Sequence, residues 1–127
     1  MSLKRIDHFV LTVADIEVSC AFYEALGMAR QPFGARRMAM AFGTQKLNLH
    51  VATGDPAQPK AKNPGTGTAD FCLIDDDLDD VMARLTAANI EIITGPVART
   101  GATGPIRSVY CYDPDGNLVE ISAYETG

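Results

Sequence analysis

Polar and apolar residues alternate along "IDHFVLTV" (6–13), "KLNLHVA" (46–52), "ADFCLI" (69–74) and "NLVEISAY" (117–124). A period of two predicts half-buried β-strands. Two stretches keep helical spacing instead. In "ADIEVSCAFYEALGM", Ile16, Cys20, Tyr23 and Leu26 share one face, with Asp15 placed to cap the start and Gly27 to end it. In "DDDLDDVMARLTAANI", Leu78, Val81, Met82 and Leu85 do the same behind acidic capping residues. The aspartates of that second start lack the alternating spacing and glycine of a calcium loop, and carboxylates favour helix N-termini. The run "DPDGN" (113–117) predicts a turn between two strands.

Each half of the chain therefore reads strand, helix, then two or three further strands, an internal duplication of α+β class. The Gly- and Pro-rich stretch at about 53–68 reads as a linker between module one (about 1–55) and module two (about 69–127), within one domain of 127 residues. Overlaying the halves sets His8 on Asp70 at an offset of 62, and Phe42 on Tyr112 and His50 on Glu120 at an offset of 70. The two histidines of the chain, His8 and His50, thus fall on strand positions matched by two carboxylates. Each has a bland alternative: a hydrogen-bonded core histidine, an exposed edge carboxylate in Glu120, a strand-opening Asp70. Together they form a mixed nitrogen and oxygen donor set suited to zinc, nickel, cobalt, manganese or iron. Alternation with Ile6 and Val10 places His8 on the core face, where a metal would satisfy its ring nitrogens.

Composition narrows the partners. The net charge of −5 with no basic run argues against nucleic acid or an anionic membrane surface. No apolar stretch suits a signal peptide or a membrane span. Cys20, Cys72 and Cys111 are odd in number and never in a CxxC pair, which fits a reducing cytoplasm, and all three read as small core hydrophobes. The stretch "TGPVARTGATGPIRS" (94–108) reads as a shaped loop whose Arg99 and Arg107 suit a carboxylate or phosphate, or else are plain solvated arginines. Phe33, Met38, Met40, Phe42, Tyr110 and Tyr112 are candidates to line a pocket or to fill the core.

The opening "IDHFVLTVADIEVSCAFYEALGM" and the closing "YCYDPDGNLVEI" resemble the vicinal oxygen chelate superfamily, which includes glyoxalase I, fosfomycin and bleomycin resistance proteins and extradiol dioxygenases. With "FGTQKLNLH" and "GPVARTGATGPIRSVY", the resemblance is greatest to small single-chain glyoxalase-domain proteins, some termed virulence-associated. It implies paired βαβββ modules in an open, eight-stranded, barrel-like mixed sheet with flanking helices around a divalent metal, and frequent homodimers. It carries His8 to the first ligand position, Glu120 to the last, and Asp70 to a position usually held by His. The fourth falls on His50 by the internal overlay, or on Asn48, two residues away on the same face, as in some relatives. Otherwise Asn48 lies near the metal and the substrate.

The activity this implies is metal-dependent proton transfer, of lyase or isomerase type, on a small oxygenated and anionic substrate. Glu120 is the first candidate for the base, Asp70 the second, and Arg99, Arg107, Tyr110 and Asn48 the substrate contacts. Two alternatives stand beside it. An iron-dependent extradiol-type dioxygenase would use His8, His50 and Glu120 as a two-His, one-carboxylate site. A non-catalytic small-molecule binding or resistance protein would have a site that merely chelates.

Overall fold

The computed structural model describes residues 2–125. Strand β1 (His8–Val13), helix α1 (Ile16–Ala25) and strands β2 (Ala29–Phe33), β3 (Arg37–Phe42) and β4 (Gln45–Val51) make the first unit. Strand β5 (Asp70–Ile74), helix α2 (Leu78–Ala87) and strands β6 (Thr94–Gly101), β7 (Gly104–Tyr112) and β8 (Leu118–Tyr124) make the second. The chain divides into compact units Met1–Gly67 and Thr68–Gly127. Each holds one four-stranded mixed sheet, ordered β1-β4-β3-β2 and β5-β8-β7-β6. The eight strands thus form two sheets of four, and among the described residues no strand pairing joins the sheets into a closed barrel.

The same local chemistry builds both units. Asp15 and Asp77 cap the two helices, their side chains accepting the amide N–H of Val18 and Asp80 at 3.1 Å. Gly27 takes φ 105° directly after the first helix, a conformation that suits glycine. In unit one, Ser19, Cys20 and Tyr23 of α1 are buried, and so are Leu11, Val13, Met40, Leu47 and Leu49 of the strands. In unit two, Val81 and Leu85 of α2 are buried along with Val109, Cys111, Val119 and Ile121. These strand positions alternate with the others, so each sheet turns one face to its helix and keeps the second for other purposes.

Three expectations change here. His8 lies on the face away from α1 with its side chain 44% exposed, because Phe9, Leu11 and Val13 supply the core-facing set of β1. Cys72 is exposed, whereas Cys20 and Cys111 are buried as expected. The stretch 94–108 is no loop: most of it forms the β6–β7 hairpin, with an irregularity of register between Thr94 and Val97. Gly95 (φ 112°) permits that hairpin, since a Cβ there would run into the backbone carbonyl of Ser108. Met38, Met40 and Phe42 lie on the helix face of their sheet, in register with Leu49, Leu47 and Gln45. Among the described residues no helix is long and apolar enough to cross a membrane.

Candidate functional site

The face of the second sheet away from α2 collects the second module's expected site residues. In β5 and β8, Asp70 pairs with Leu118 and Cys72 with Glu120. In β7 and β8, Tyr110 pairs with Glu120 and Ser108 with Ser122. Register partners share a face, so Asp70, Cys72, Glu120, Tyr110, Ser108 and Ser122 stand together. A cavity of about 400 Å³ opens there, lined by Asp70, Arg99, Tyr110, Tyr112 and Glu120 among others. That volume suits a small molecule.

Glu120 is held by a directed chain of hydroxyls. Ser108 Oγ donates to Glu120 Oε2 at 2.6 Å. A hydroxyl has one proton, so the 2.6 Å contact between Ser122 Oγ and Ser108 Oγ runs from Ser122 to Ser108. Cys72 Sγ lies 3.2 Å from Ser122 Oγ and closes the chain. Ser122 Oγ also stands 3.3 Å from Oε2. Among the described residues Oε1 of Glu120 accepts no hydrogen bond. The carboxylate therefore has one fixed oxygen and one available oxygen. Burial, with Glu120 nearby, pushes the Cys72 thiol up, against a hydrogen bond with Ser122 that lowers it.

Arg99 Nε donates to the phenol oxygen of Tyr110 at 3.0 Å, and the guanidinium stands 5.5 Å from that ring's centroid. Nη1 donates to the carbonyl of Ala98, leaving Nη2 for a ligand. Arg107 is placed elsewhere. Strand alternation puts it on the α2 side, where it lines a separate hollow of about 530 Å³ with Asp76, Asp79, Met82 and Glu125. The "DPDGN" turn positions Asp70. Asp113 accepts the amide N–H groups of Asp115 and Asn117 and the side-chain amide of Asn117 at 2.7–2.9 Å. Asn117 Oδ1 in turn accepts the N–H of Ala69 at 2.9 Å, one residue before Asp70.

In the first sheet, the face away from α1 carries His8, Val10 and Thr12, in register with Lys46, Asn48 and His50. This register corrects the overlay of the halves. Val10 faces Asn48 across β1 and β4, as Cys72 faces Glu120 across β5 and β8. With β1 matching β5 at an offset of 62, the position matching Glu120 is Asn48, and His50 matches Ser122. The capping aspartates, Asp15 and Asp77, fix that offset independently. The discrepancy comes from the turns: β3 and β4 are joined by two residues, β7 and β8 by five, so one constant offset slips along the hairpin.

The donor chemistry agrees with the register. Asn48 is 8% exposed, and its Oδ1 is buried with no hydrogen-bond partner among the described residues. A buried amide oxygen without a partner costs free energy unless something fills it, and a hard cation accepts such an oxygen. His50 is already engaged: Arg37 Nη2 donates to its Nε2 at 2.9 Å. The ring proton then sits on Nδ1, and a guanidinium occupies the lone pair a metal would need. Burial holds the His50 imidazole below its ordinary value, Arg37 and Lys60 adding to the effect and Asp55 opposing it. His8 is arranged differently. Its Nδ1 donates to Asp7 Oδ2 at 2.8 Å, which leaves Nε2 with its lone pair, the arrangement by which carboxylates orient metal-binding imidazoles. That hydrogen bond holds the Asp7 carboxyl below its usual value. Among the described residues no three His, Cys, Asp or Glu side chains are grouped closely enough to hold an ion by themselves.

Several of these groups were not legible in advance. Ser108 and Ser122 sit two residues from Tyr110 and Glu120 on their strands, and that inward i, i+2 polarity was the available signal. Arg37 and Lys46 gave none.

A duplicated βαβββ unit with carboxylate, amide and imidazole donors on the faces away from the helices defines a class of small-molecule-binding proteins and enzymes. Residues 5–121 match the family described as glyoxalase/bleomycin resistance protein/dioxygenase superfamily, and the chain belongs to it. It is 49% identical over 126 residues to virulence protein STM3117 of Salmonella typhimurium, covering 98% of this chain and 87% of that one. The crystal structure of that protein superposes with a TM-score of 0.93 over 98% of this chain and 100% of the other. Glyoxalase domain-containing protein RDO1 of Mycosarcoma maydis is 44% identical over 126 residues, covering 98% of this chain and 71% of its own. The structure of lactoylglutathione lyase from Agrobacterium tumefaciens is 25% identical, with a TM-score of 0.72 over 96% of this chain and 95% of the other.

Proposed function

We propose that the chain is a metal-dependent enzyme of glyoxalase type that moves a proton between neighbouring carbons of a small, oxygenated, anionic substrate. The observation that carries this reading is Glu120: one oxygen is pinned by Ser108, and the other has no partner among the described residues, in a cavity shared with Arg99 and Tyr110. A base for proton transfer needs this arrangement, an oriented carboxylate with one oxygen left for the substrate.

In this reading His8 and Asn48 are the metal donors of module one, and Asp70 and Glu120 those of module two. Asn48 replaces His50, whose accepting nitrogen is taken by Arg37. A bound divalent cation of nickel, cobalt, zinc, manganese or iron supplies Lewis-acid stabilisation of the oxyanion that develops as the proton leaves. The remaining steps belong to the protein. Arg99 holds the anionic end of the substrate through Nη2. Tyr110, fixed by Arg99, orients an oxygen of the substrate. Glu120, released from the cation, would take the proton at Oε1 and return it to the adjacent carbon. The Ser108 hydroxyl keeps the carboxylate in place throughout. The same engagement of His50 removes the second imidazole from a two-His, one-carboxylate iron site, which disfavours the extradiol reading.

A homodimer is part of the proposal. Strands β1 and β5 are sheet edges, and Val10 and Ile74 on them are 44% and 52% exposed, surface that a second copy would cover.

The test is proton exchange. Full-length protein, stripped and reloaded with each divalent metal in turn, is incubated in D2O with lactoylglutathione and a panel of small anionic hydroxycarbonyl compounds. ¹H NMR follows loss of the proton next to the carbonyl. The proposal expects exchange by the wild type with at least one metal, slowed about 100-fold or more in Glu120→Gln. Tight binding without exchange on any metal would make the protein a binder, and oxygen uptake with a catechol on iron would make it a dioxygenase.

A further inference from the structure

We infer that the first module carries its own oxyanion subsite, built by Arg37 and Lys46 around the ring of Phe33, which takes a phosphate-type dianionic group of the substrate. The ammonium of Lys46 stands 3.8 Å from the centroid of Phe33, and the guanidinium of Arg37 stands 5.4 Å from the same point. Two cations on one ring repel each other, and the ring's quadrupole compensates only part of that. A carboxylate would be the ordinary remedy. Among the described residues neither cation has one within ion-pair distance, although Arg30, Arg84 and Arg5 all do. Asp55 and Asp7 act on Arg37 and Lys46 only through space, and their own hydrogen bonds go to the backbone N–H groups of Val51 and Ala57 and to His8.

The arrangement is held in place. Phe33 and Arg37 are register partners flanking a tight turn in which Gly34 and Arg36 take φ values of 54° and 60°. Arg37 is further fixed by donating Nη2 to His50. One nitrogen of the guanidinium is thereby used, and among the described residues Nε and Nη1 have no partner. All four side chains, Phe33, Arg37, Lys46 and His50, are half-buried, so their charges are less screened than on an open surface. In a chain of net charge −5, this is a local exception, which general surface composition does not explain. Two positive charges and a fork of donors match a dianionic tetrahedral group better than a lone carboxylate. Lys46 is also the register partner of His8, and Asn48 follows it on the same face, so an anion held here lies beside the donors of module one.

This deepens the proposed function by saying which end of the substrate module one reads, and its test needs no metal and no turnover. Inorganic phosphate is titrated into metal-free, full-length protein at constant ionic strength, and the ring ¹H–¹⁵N signals of His50 are followed by NMR. A saturable shift is expected, weakened about tenfold or more in Lys46→Gln and in Arg37→Gln but unchanged in Lys62→Gln, an exposed lysine in the stretch between the modules. Should Arg37→Gln fail to fold, Lys46→Gln decides alone, because its ammonium makes no hydrogen bond or ion pair among the described residues and stands over the ring of Phe33. No saturation in the wild type, or equal affinity in Lys46→Gln, would overturn the inference while leaving the role of Glu120 untouched.

Discussion

Asn48 and Glu120 are the same position of the duplicated unit: each stands on the fourth strand of its module, facing the third residue of the first strand, Val10 in one case and Cys72 in the other. One is a buried amide whose oxygen has no hydrogen-bond partner among the described residues. The other is a carboxylate with one oxygen held by Ser108, which Ser122 supports in turn. An oxygen donor thus stands at this point in both halves, neutral in one and a carboxylate in the other.

The hydroxyl chain behind Glu120 fixes the orientation of its carboxylate. Ser108 is fully buried and donates its only proton to Oε2. Removing that donor in Ser108→Ala leaves Ser122, at 3.3 Å, as the remaining hydroxyl and costs about 1–3 kcal/mol of stability. The carboxylate is then no longer held in one orientation by a short hydrogen bond, so proton exchange should slow about tenfold or more in Ser108→Ala with substrate binding little changed. An exchange rate equal to that of the wild type would show that Ser108 only fills space.

Asn117 links the last turn to the strand that carries Asp70. Its side chain is buried and its Oδ1 accepts the N–H of Ala69. In Asn117→Ala this N–H and the Asp113 carboxylate both lose a partner, at a cost of about 1–3 kcal/mol. The Ala69 amide should then exchange with solvent markedly faster, beyond the change at the centre of β7. Equal acceleration at both places would mean global destabilisation only.

His50 should make stability depend on pH. Its folded value lies below its unfolded one, mainly through burial, so the unfolded chain binds the proton more readily. Stability is then full above the unfolded value of about 6.5 and declines as pH falls from there toward the folded value. Urea melts at about pH 7.5 and 5.5 should show this decline in the wild type, and His50→Gln should flatten it. An identical decline in the variant would assign it to other groups.

Much of the fold was legible in the chain. Caps at Asp15 and Asp77, the C-terminal Gly27 and the "DPDGN" turn mark their elements through local chemistry that any fold must satisfy, and the structure uses each of them. The register was not legible. It depends on turn lengths, and the two-residue turn after Phe42 against the five-residue turn after Tyr112 moved the match for Glu120 from His50 to Asn48. Side-chain direction was misread for the same kind of reason. β1 and β5 have apolar residues on both faces, so alternation alone did not say whether His8 or Phe9 turned inward. The pairing of Arg37 with His50 and of Ser108 with Glu120 arises between strands, and nothing within either strand announces it.

Metal content tests the central claim most directly. Untagged wild type, Asn48→Leu, His50→Gln and Glu120→Gln are dialysed against the same buffered divalent metal and assayed for bound metal by elemental analysis. The account predicts stoichiometric metal in the wild type and in His50→Gln, with affinity reduced about 10- to 100-fold or more in Asn48→Leu and Glu120→Gln. Metal retained by Asn48→Leu but lost from His50→Gln would contradict it.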